Sequence, residues 1–279
     1  MVIDVHVHIC PPEVREGREK FLDGEAEFTA LYKERQARLA GAGEVVAMMD
    51  REGVDKAVVF GFPWNHEEFL KFNNDYVLQA AARFQGRLIP FVCVKAEHPG
   101  APSEIERCLG AGARGIGELA FYTNGLDEAA VKALKPVTDI SHEAQCPILL
   151  HTNEPVGRHY PGKSPMTLAQ LYRLLKIYDK TTWILAHLGG GLPFYCYMKK
   201  EVRDVLSSCW FDTAALPYLY RPEVLKIFAD AIGPEKLLFG SDFPLIHFSR
   251  YKNEFLQAGL NKEETEMILG KNAQSLLSI

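Results

Sequence analysis

The sequence lacks the features of several protein classes. Its six cysteines include no CxxC pair and no dense cysteine framework, which small secreted domains need. No apolar run approaches the roughly 20 residues that cross a bilayer, and the first strand-like run starts just after Met1, without the charged and apolar regions of a signal peptide. We therefore expect reduced thiols, a cytoplasmic location and no membrane partner.

An excess of basic residues is also missing. Lysine and arginine number 31 against 36 aspartates and glutamates, which gives a net charge of -5 and a pI near 6.0. Such a chain has no broad basic surface for a phosphate backbone, so we expect a small-molecule substrate and no nucleic acid. A hydrophobic content of 47% with 24% charged residues is ordinary globular composition and allows a sizeable core.

Eight short, apolar, β-branched runs are present along the whole chain. Amphipathic segments such as 67–84, 126–144 and 167–178 lie between them, so strands and helices alternate. The runs are Val2–Ile9, Lys56–Gly61, Leu88–Val94, Ala113–Leu119, Pro147–Thr152, Thr182–Leu188, Cys209–Thr213 and Lys236–Ser241. Near-continuous apolar strands indicate a parallel sheet covered on both faces.

This alternation fits two α/β folds. A doubly wound open sheet shares it, but the count of eight, the length of 279 residues and the lack of a Gly-rich loop after the first run favour a (β/α)8 TIM-type barrel. We predict one barrel domain over residues 1–279, with a long loop or lid insertion at about residues 10–38, which is charged and proline-containing at its start.

The first run contains a polar alternation. Asp4, His6 and His8 are spaced by two, so the period of a strand places them on one face. Two imidazoles side by side inside a barrel each need partners for both ring nitrogens, and a metal ion supplies one to both. A structural histidine pair is the alternative explanation of this motif alone.

Further polar residues lie at the C-terminal ends of later runs. Glu118 is near the end of the fourth, His151 of the fifth and His187 of the sixth, and Asp242 follows the eighth. Taken singly, each has a structural explanation, such as a cap, a turn or a pairing of Glu118 with a cation. Because barrel enzymes build their active sites from these strand ends, the combination predicts four histidines and two carboxylates around one metal-binding cavity.

The pattern resembles the amidohydrolase superfamily. DxHxH in the first run, Glu in the fourth, His in the fifth and sixth and Asp after the eighth carry the resemblance, which covers essentially the whole chain. The phrases HTNEP, AHLGGG and GSDFP are similar to its amidohydrolase-related branch, which includes aminocarboxymuconate-semialdehyde decarboxylase-like proteins. The resemblance implies a distorted barrel, a divalent metal that is usually zinc, and a homodimer, since barrels of this branch are often dimers.

Two uses of the metal residues follow from the resemblance. In a binuclear site, the first-run histidines and Asp242 hold one metal, His151 and His187 hold a second, and Glu118 bridges them. Many members bridge with a carboxylated lysine, and the fourth run has none. In a mononuclear site, the first-run histidines, His151 and Asp242 hold one metal, and His187 is free as acid or base.

Our first functional hypothesis is hydrolysis of an ester, lactone or amide bond of a small anionic substrate by metal-activated water. Asp242 would transfer the proton, and His187 would ligate a second metal or stabilise the oxyanion. Glu118 motivates it, because mononuclear decarboxylases of this branch generally lack a carboxylate there. The alternative is a non-oxidative decarboxylase (a lyase) of an aromatic or unsaturated acid. Nucleic-acid hydrolysis is weakened by the acidic pI, and a barrel that only binds a partner is disfavoured by the intact ligand set.

Loop residues supply the predicted substrate contacts. Arg158, Tyr160 and Lys163 follow the fifth run, where arginine could clamp a carboxylate. Trp64 after the second run and Tyr122 after the fourth could wall the pocket. For each of the five, an ordinary packed or solvated loop residue is the alternative.

Overall fold

Eight parallel strands occupy the positions of the eight predicted runs in a computed structural model that describes residues 1–279. They are β1 (Ile3–His8), β2 (Lys56–Phe60), β3 (Leu88–Pro90), β4 (Ile116–Leu119), β5 (Ile148–Leu150), β6 (Trp183–Leu185), β7 (Cys209–Asp212) and β8 (Leu237–Leu238). Nearly every strand residue is buried, as a parallel sheet covered on its outer face requires.

The strands close on one another. Hydrogen bonding links them in the orders β1-β2-β3 and β4-β5-β6-β7-β8, and single parallel bridges join Val92 to Ile116 and Val7 to Phe243 across the two gaps. The backbone N–H of Val5 also donates to the carbonyl of Phe239 at 2.8 Å. The predicted TIM-type barrel is therefore confirmed, and the open doubly wound sheet is excluded.

Helices connect the strands and cover the outside of the barrel. Their starts include side-chain caps, such as Asp127, whose carboxylate accepts the N–H of Ala130 at 2.8 Å. The α-helices span Pro12–Glu16, Ala26–Tyr32, Ala42–Glu52, Glu67–Arg83, Ala101–Gly110, Glu128–Glu143, Leu168–Ile177, Lys200–Val205, Leu216–Leu219, Val224–Ile232, Phe248–Gln257, Lys262–Glu266 and Asn272–Leu277. Arg18–Phe21, Leu192–Tyr197, Leu206–Ser208 and Pro234–Lys236 are 3-10 turns, Met267–Lys271 is π-helical, and Ala186–Gly189 is a single tight turn. None of these helices has the length and apolarity that crossing a membrane would take.

The segment predicted as a long loop, residues 10–38, is partly helical. The helix Ala26–Tyr32 buries Phe28, whose ring lies 4.3 Å from that of Trp64 between centroids. Before this helix, the buried carboxylate of Glu25 accepts the backbone N–H groups of Asn65 and His66 at 2.9 and 2.7 Å. Contacts with the loop after β2 thus order this segment, and its own charged sequence gave no sign of them.

Two hydrophobic clusters divide the core. Alternate residues of β2 belong to different clusters. Val58 and Phe60 lie in a small cluster of 13 buried residues, and Ala57 and Val59 lie in a large cluster of 66 that includes residues of the helices. The small cluster fills the barrel interior and contains Leu277 of the last helix, beside residues that begin the strands. Apolar side chains therefore fill this end of the barrel, and the polar residues lie at the opposite end.

Candidate metal centre

The six predicted metal residues come together at the C-terminal ends of the strands. His6 and His8 belong to β1 and Glu118 to β4, His151 directly follows β5, and His187 lies in the turn after β6. Asp242, the sixth, follows β8 by four residues. Their donor atoms form three overlapping groups in which all atoms lie within 4.8 Å of one another: His6, His8 and Glu118; His6, His187 and Asp242; and Glu118, His151 and His187.

Glu118 lies between two sets of imidazoles. Its Oε2 is 3.7 Å from His6 Nε2 and 3.8 Å from His8 Nε2, and its Oε1 is 3.0 Å from His151 Nδ1 and 3.8 Å from His187 Nε2. One carboxylate thus faces both sets, each with a different oxygen. His151 shares a donor group with Glu118 and His187 but not with the β1 histidines.

Backbone carbonyls decide which ring nitrogens carry hydrogen. His151 Nε2 lies 3.0 Å from the carbonyl of Gly162, and His187 Nδ1 lies 3.0 Å from that of Ala214. A carbonyl only accepts, so these nitrogens donate, and in the neutral rings His151 Nδ1 and His187 Nε2 are left as lone pairs. Both lone pairs face Oε1 of Glu118, which is itself an acceptor, and this is unfavourable unless a positive charge lies among them.

His6 shows the same arrangement with a charged support. Its Nδ1 donates to the buried Asp212 carboxylate at 2.9 Å, and its Nε2 is buried with no hydrogen-bond partner in the structure. A buried imidazole nitrogen without a partner is costly. Histidine and carboxylate donors that converge on one another, together with this orphaned nitrogen, fit a divalent metal ion.

The pKa values report where positive charge is favoured. Burial disfavours the charged form of His6, but the carboxylates of Asp212 and Glu118 outweigh it and raise the pKa of His6 to about 10. Burial would raise the pKa of Glu118, yet the His6 and His151 imidazoles hold it well below its usual range. For His187, burial and the nearby His151 both lower the pKa. The β1 side of the centre therefore attracts a cation most strongly.

Two of the six residues have left-handed backbone conformations. The φ of His187 is 54° and that of Asp242 is 64°, conformations that cost non-glycine residues about 1–3 kcal/mol each and cluster at functional sites. After His187, Gly190 has φ 61°, and an added Cβ would clash with the carbonyl oxygen of Asn153. This glycine allows the turn to pack against the loop after β5.

The pairing register shifts in both donor-bearing strands, between Asp4 and Val7 in β1 and between Ile116 and Leu119 in β4. Irregularities of this kind re-aim side chains near active sites. Asp4, which we expected on the same face as the histidines, instead accepts the backbone N–H groups of His6 and Ser241 at 3.1 and 2.9 Å. It is absent from the donor groups.

A cavity of about 1190 Å³ opens above the centre. Its base includes His8, Glu118, His151, His187 and Asp242, and aromatic rings including Tyr32, Phe62 and Tyr122 form part of its wall. The volume is slightly above the range of about 300–1,000 Å³ usual for small-molecule pockets, so the cavity has room for a small molecule. Because five of the six donor residues line it, a molecule bound there would contact them.

The predicted substrate contacts are not all at this cavity. Tyr122, Arg158 and Tyr160 line it, but Trp64 and Lys163 do not. Trp64 is 1% exposed and its indole N–H donates to Asn73 at 3.0 Å, because the loop after β2 turns this ring into the core. The Lys163 ammonium donates to Glu154 and to the Val156 carbonyl, both at 2.6 Å. Trp64 and Lys163 therefore do not line the cavity, contrary to what we expected from the sequence.

The sequence interpretation missed two residues of the site. Asp212 supports His6 and also accepts the backbone N–H of His187 at 3.0 Å. Its signal was present, since Asp212 is the acidic residue at the end of the seventh apolar run. Tyr32 lies in the segment predicted as a loop, and no pattern in the sequence placed its ring on the cavity wall.

A closed parallel barrel that gathers four imidazoles and two carboxylates at the C-terminal ends of its strands defines a class of metal-dependent barrel enzymes. The particular family follows from comparison with known proteins. A family model described as Amidohydrolase matches residues 3–279, so the chain belongs to the amidohydrolase family. The resemblance stated from the sequence is confirmed.

Individual relatives are more distant. The chain is 21% identical to 2-amino-3-carboxymuconate-6-semialdehyde decarboxylase of Dictyostelium discoideum, over 99% of this chain and 91% of that protein. It superposes on 5-carboxyvanillate decarboxylase of Sphingomonas paucimobilis with a TM-score of 0.77 at 16% identity, covering 100% of this chain and 99% of the other. Dihydroxybenzoic acid decarboxylase of a Polaromonas species, solved with bound manganese and the inhibitor 2-nitroresorcinol, gives a TM-score of 0.72 at 18% identity, with 99% and 96% covered.

These relatives overturn one prediction. The sequence analysis favoured a hydrolase over a decarboxylase because of Glu118, and that preference is wrong, since the relatives described above are all named as decarboxylases.

Proposed function

We propose that this protein is a metal-dependent, non-oxidative decarboxylase of an aromatic or unsaturated carboxylic acid. The observation that carries the proposal is the set of ring-nitrogen lone pairs and carboxylates at the base of an aromatic-walled cavity. The names of the relatives at 16–21% identity supply the reaction type.

The bound ion in this proposal is divalent, either manganese, as in the Polaromonas relative, or zinc, as we expected from the sequence. Imidazole and carboxylate ligands suit both ions. His6, His8, Glu118 and Asp242 would hold one ion, and Glu118 with His151 and His187 offers a second position. When bound, the metal supplies the positive charge that holds the carboxylate end of the substrate.

The reaction needs one proton at one carbon. The bond between the substrate carbon and its carboxylate breaks, CO2 leaves, the electron pair stays on the carbon, and a proton adds there. His187 lines the cavity, and its Nδ1 is occupied by the Ala214 carbonyl, so Nε2 is the ring nitrogen left for proton transfer when the second position holds no ion. Because burial and the nearby His151 lower the pKa of His187, its protonated form gives up a proton more readily than an ordinary imidazolium does.

Asp242 is the second group available for proton transfer. Its Oδ1 lies 3.3 Å from His8 Nε2 and 3.8 Å from His6 Nε2. Burial would raise its pKa, but the hydrogen bond from His8 and the charge of His6 lower it. Asp242 is therefore a carboxylate that accepts a proton from a substrate hydroxyl or passes one on, at the same side of the cavity as the β1 histidines.

A substrate panel tests the proposal. Protein loaded separately with Mn2+ and with Zn2+ is mixed with 5-carboxyvanillate, 2,6-dihydroxybenzoate and 2-amino-3-carboxymuconate semialdehyde, and CO2 release is followed. We expect turnover of at least one acid and its loss in His187→Gln, with retention in His142→Gln, which alters an exposed histidine on the helix Glu128–Glu143. A panel that releases no CO2 with either metal would contradict the proposal.

A further inference from the structure

A second cavity, of about 520 Å³, adjoins the catalytic cavity and is strongly cationic. Arg18, Arg35, Arg38, Arg51 and His247 line it, against the single carboxylate of Glu44. The chain as a whole has a net charge of -5, so this concentration of arginines departs from the average surface. Positive charge gathered in a concave site favours an anion.

Two of these arginines have no carboxylate within 4.0 Å, namely Arg18 and Arg38. Arg18 is half-buried, and its Nη1 donates to the carbonyls of Tyr32, Glu34 and Ala37 at 2.9, 2.9 and 3.0 Å. Those bonds satisfy hydrogen-bonding capacity but do not neutralise the charge. Arg38 is exposed and makes no hydrogen bond or ion pair within the protein.

The carboxylates near the cavity are already engaged. Glu44 accepts Arg15 Nη1 and the backbone N–H of Gly41, both at 2.7 Å. Glu52 pairs with Arg51 at 3.1 Å and with His247 Nδ1 at 2.9 Å. The Glu19 carboxylate is 3.8 Å from Arg35, whose side chain is 91% exposed. The Arg38 guanidinium and the Nε and Nη2 groups of Arg18 therefore remain for a ligand. The long, exposed pairing of Arg35 with Glu19 leaves Arg35 able to join them.

The two cavities share part of their lining. Ala37, Arg38, Pro244 and His247 belong to both, so the arginine cavity adjoins the cavity above the metal centre, and Arg38 lines each of them. We propose that the arginine cavity binds a carboxylate or phosphate group, and that this group is a second anionic end of the substrate acid. The second part of this statement rests on the proposed decarboxylase function, whereas anion binding does not.

Guanidinium geometry supports the ligand class. Arginine presents a planar fork of N–H donors that pairs with two oxygens of a carboxylate or phosphate. An acid with one carboxylate at the metal centre and a second anionic group toward Arg38 would use both cavities. A single-ring acid with one carboxylate would leave the arginine cavity to solvent.

The anion site is tested by titration of metal-loaded protein with inorganic phosphate at low salt in a calorimeter. We expect the double variant Arg35→Gln/Arg38→Gln to bind phosphate about tenfold more weakly, and Arg203→Gln, an exposed arginine elsewhere, to bind it as the wild type does. Arg18 stays unchanged because it orders the backbone of residues 32–37. Equal phosphate affinity in the double variant and the wild type, at unchanged melting temperature, would overturn the site.

Steady-state kinetics then test whether the anionic group bound in the arginine cavity is part of the substrate. In the double variant, KM for 5-carboxyvanillate, which has two carboxylates, should rise about tenfold relative to KM for 2,6-dihydroxybenzoate, which has one, with kcat affected less than KM. Equal changes for both acids would reject the substrate assignment. If none of the acids releases CO2, both the proposed function and the substrate assignment are rejected. The phosphate titration tests the anion site independently of that result.

Discussion

The two sides of the metal centre hold their histidines in different ways. On the β1 side, His6 donates to the carboxylate of Asp212. On the opposite side, His151 and His187 donate to the backbone carbonyls of Gly162 and Ala214. Both supports fix the ring orientation, but only the first adds negative charge.

The difference appears in the pKa values of two otherwise similar buried rings. The pKa of His6 is raised to about 10, despite burial, by Asp212 and Glu118, whereas that of His187 is lowered by burial and by His151. A carboxylate behind a ligating histidine makes the ring a better donor to a cation. We infer that the β1 side binds the metal more tightly and that the opposite side is suited to proton transfer.

Replacing Glu118, the residue shared by both sides, should have the largest effect on metal affinity. Glu118→Gln keeps the shape of the side chain but removes the charge that faces His6, His8, His151 and His187. We expect metal affinity to fall by more than about 100-fold, beyond what loss of a supporting residue causes. Metal content after dialysis and chelator competition measure this.

Glu128→Gln is the matched control, because Glu128 is an exposed glutamate whose nearest cation, Arg173, is 3.6 Å away at the surface. Wild-type metal content in Glu118→Gln would show that neither side depends on this carboxylate. Loss of only part of the bound metal would indicate two ions of unequal affinity and would sharpen the contrast between the two sides.

The next largest effect is expected behind His6. Asp212→Asn retains an oxygen for the N–H groups of His187 and Ala214, which Oδ1 now accepts at 3.0 and 2.9 Å, but it removes the charge on the His6 side. Metal affinity should fall about 10- to 100-fold with little change in melting temperature. Chelator competition gives the affinity, and Asp139→Asn, an exposed surface aspartate, serves as control.

An unchanged affinity in Asp212→Asn would mean that orientation alone matters and that the two sides are equivalent. No side-chain substitution can make the same test on the opposite side, because its supports are backbone carbonyls. The comparison therefore depends on Asp212, the residue that the sequence interpretation overlooked.

Much of the fold could be predicted because the strands are buried on both faces. Each apolar run from Val2–Ile9 to Lys236–Ser241 contains one strand, and C-terminal strand ends converge in any closed parallel barrel. The six donor residues could be brought together on that rule alone. The same rule brings Asp212 at the end of β7 to this rim, but it does not say which polar residues pair with one another, so the pairing of Asp212 with His6 was missed.

Loops were harder to predict for a physical reason. The segment 10–38 is ordered by contacts with residues far away in the chain, such as Glu25 with Asn65 and Phe28 with Trp64. Those contacts also bury Trp64 and place Tyr32 on the cavity wall instead. Local composition does not record such pairings, so a charged stretch was interpreted as a loop and a core tryptophan as a pocket residue.

The smallest effect is expected at the rim of the cavity. Arg158 lines the cavity but is exposed and has no carboxylate within 4.0 Å, so water screens its attraction to an anionic substrate. Arg158→Gln should raise KM by up to about fivefold, corresponding to the roughly 0.2–1 kcal/mol typical of exposed charge pairs, and leave kcat and metal content near wild type. Steady-state kinetics at low and at 0.5 M salt measure this, with Arg173→Gln as an exposed control.

Since screening weakens exposed charges, the difference between Arg158→Gln and wild type should shrink at high salt. A large fall in kcat would instead place Arg158 at the reacting atoms and would end the distinction between a solvated rim and a buried, charge-supported centre.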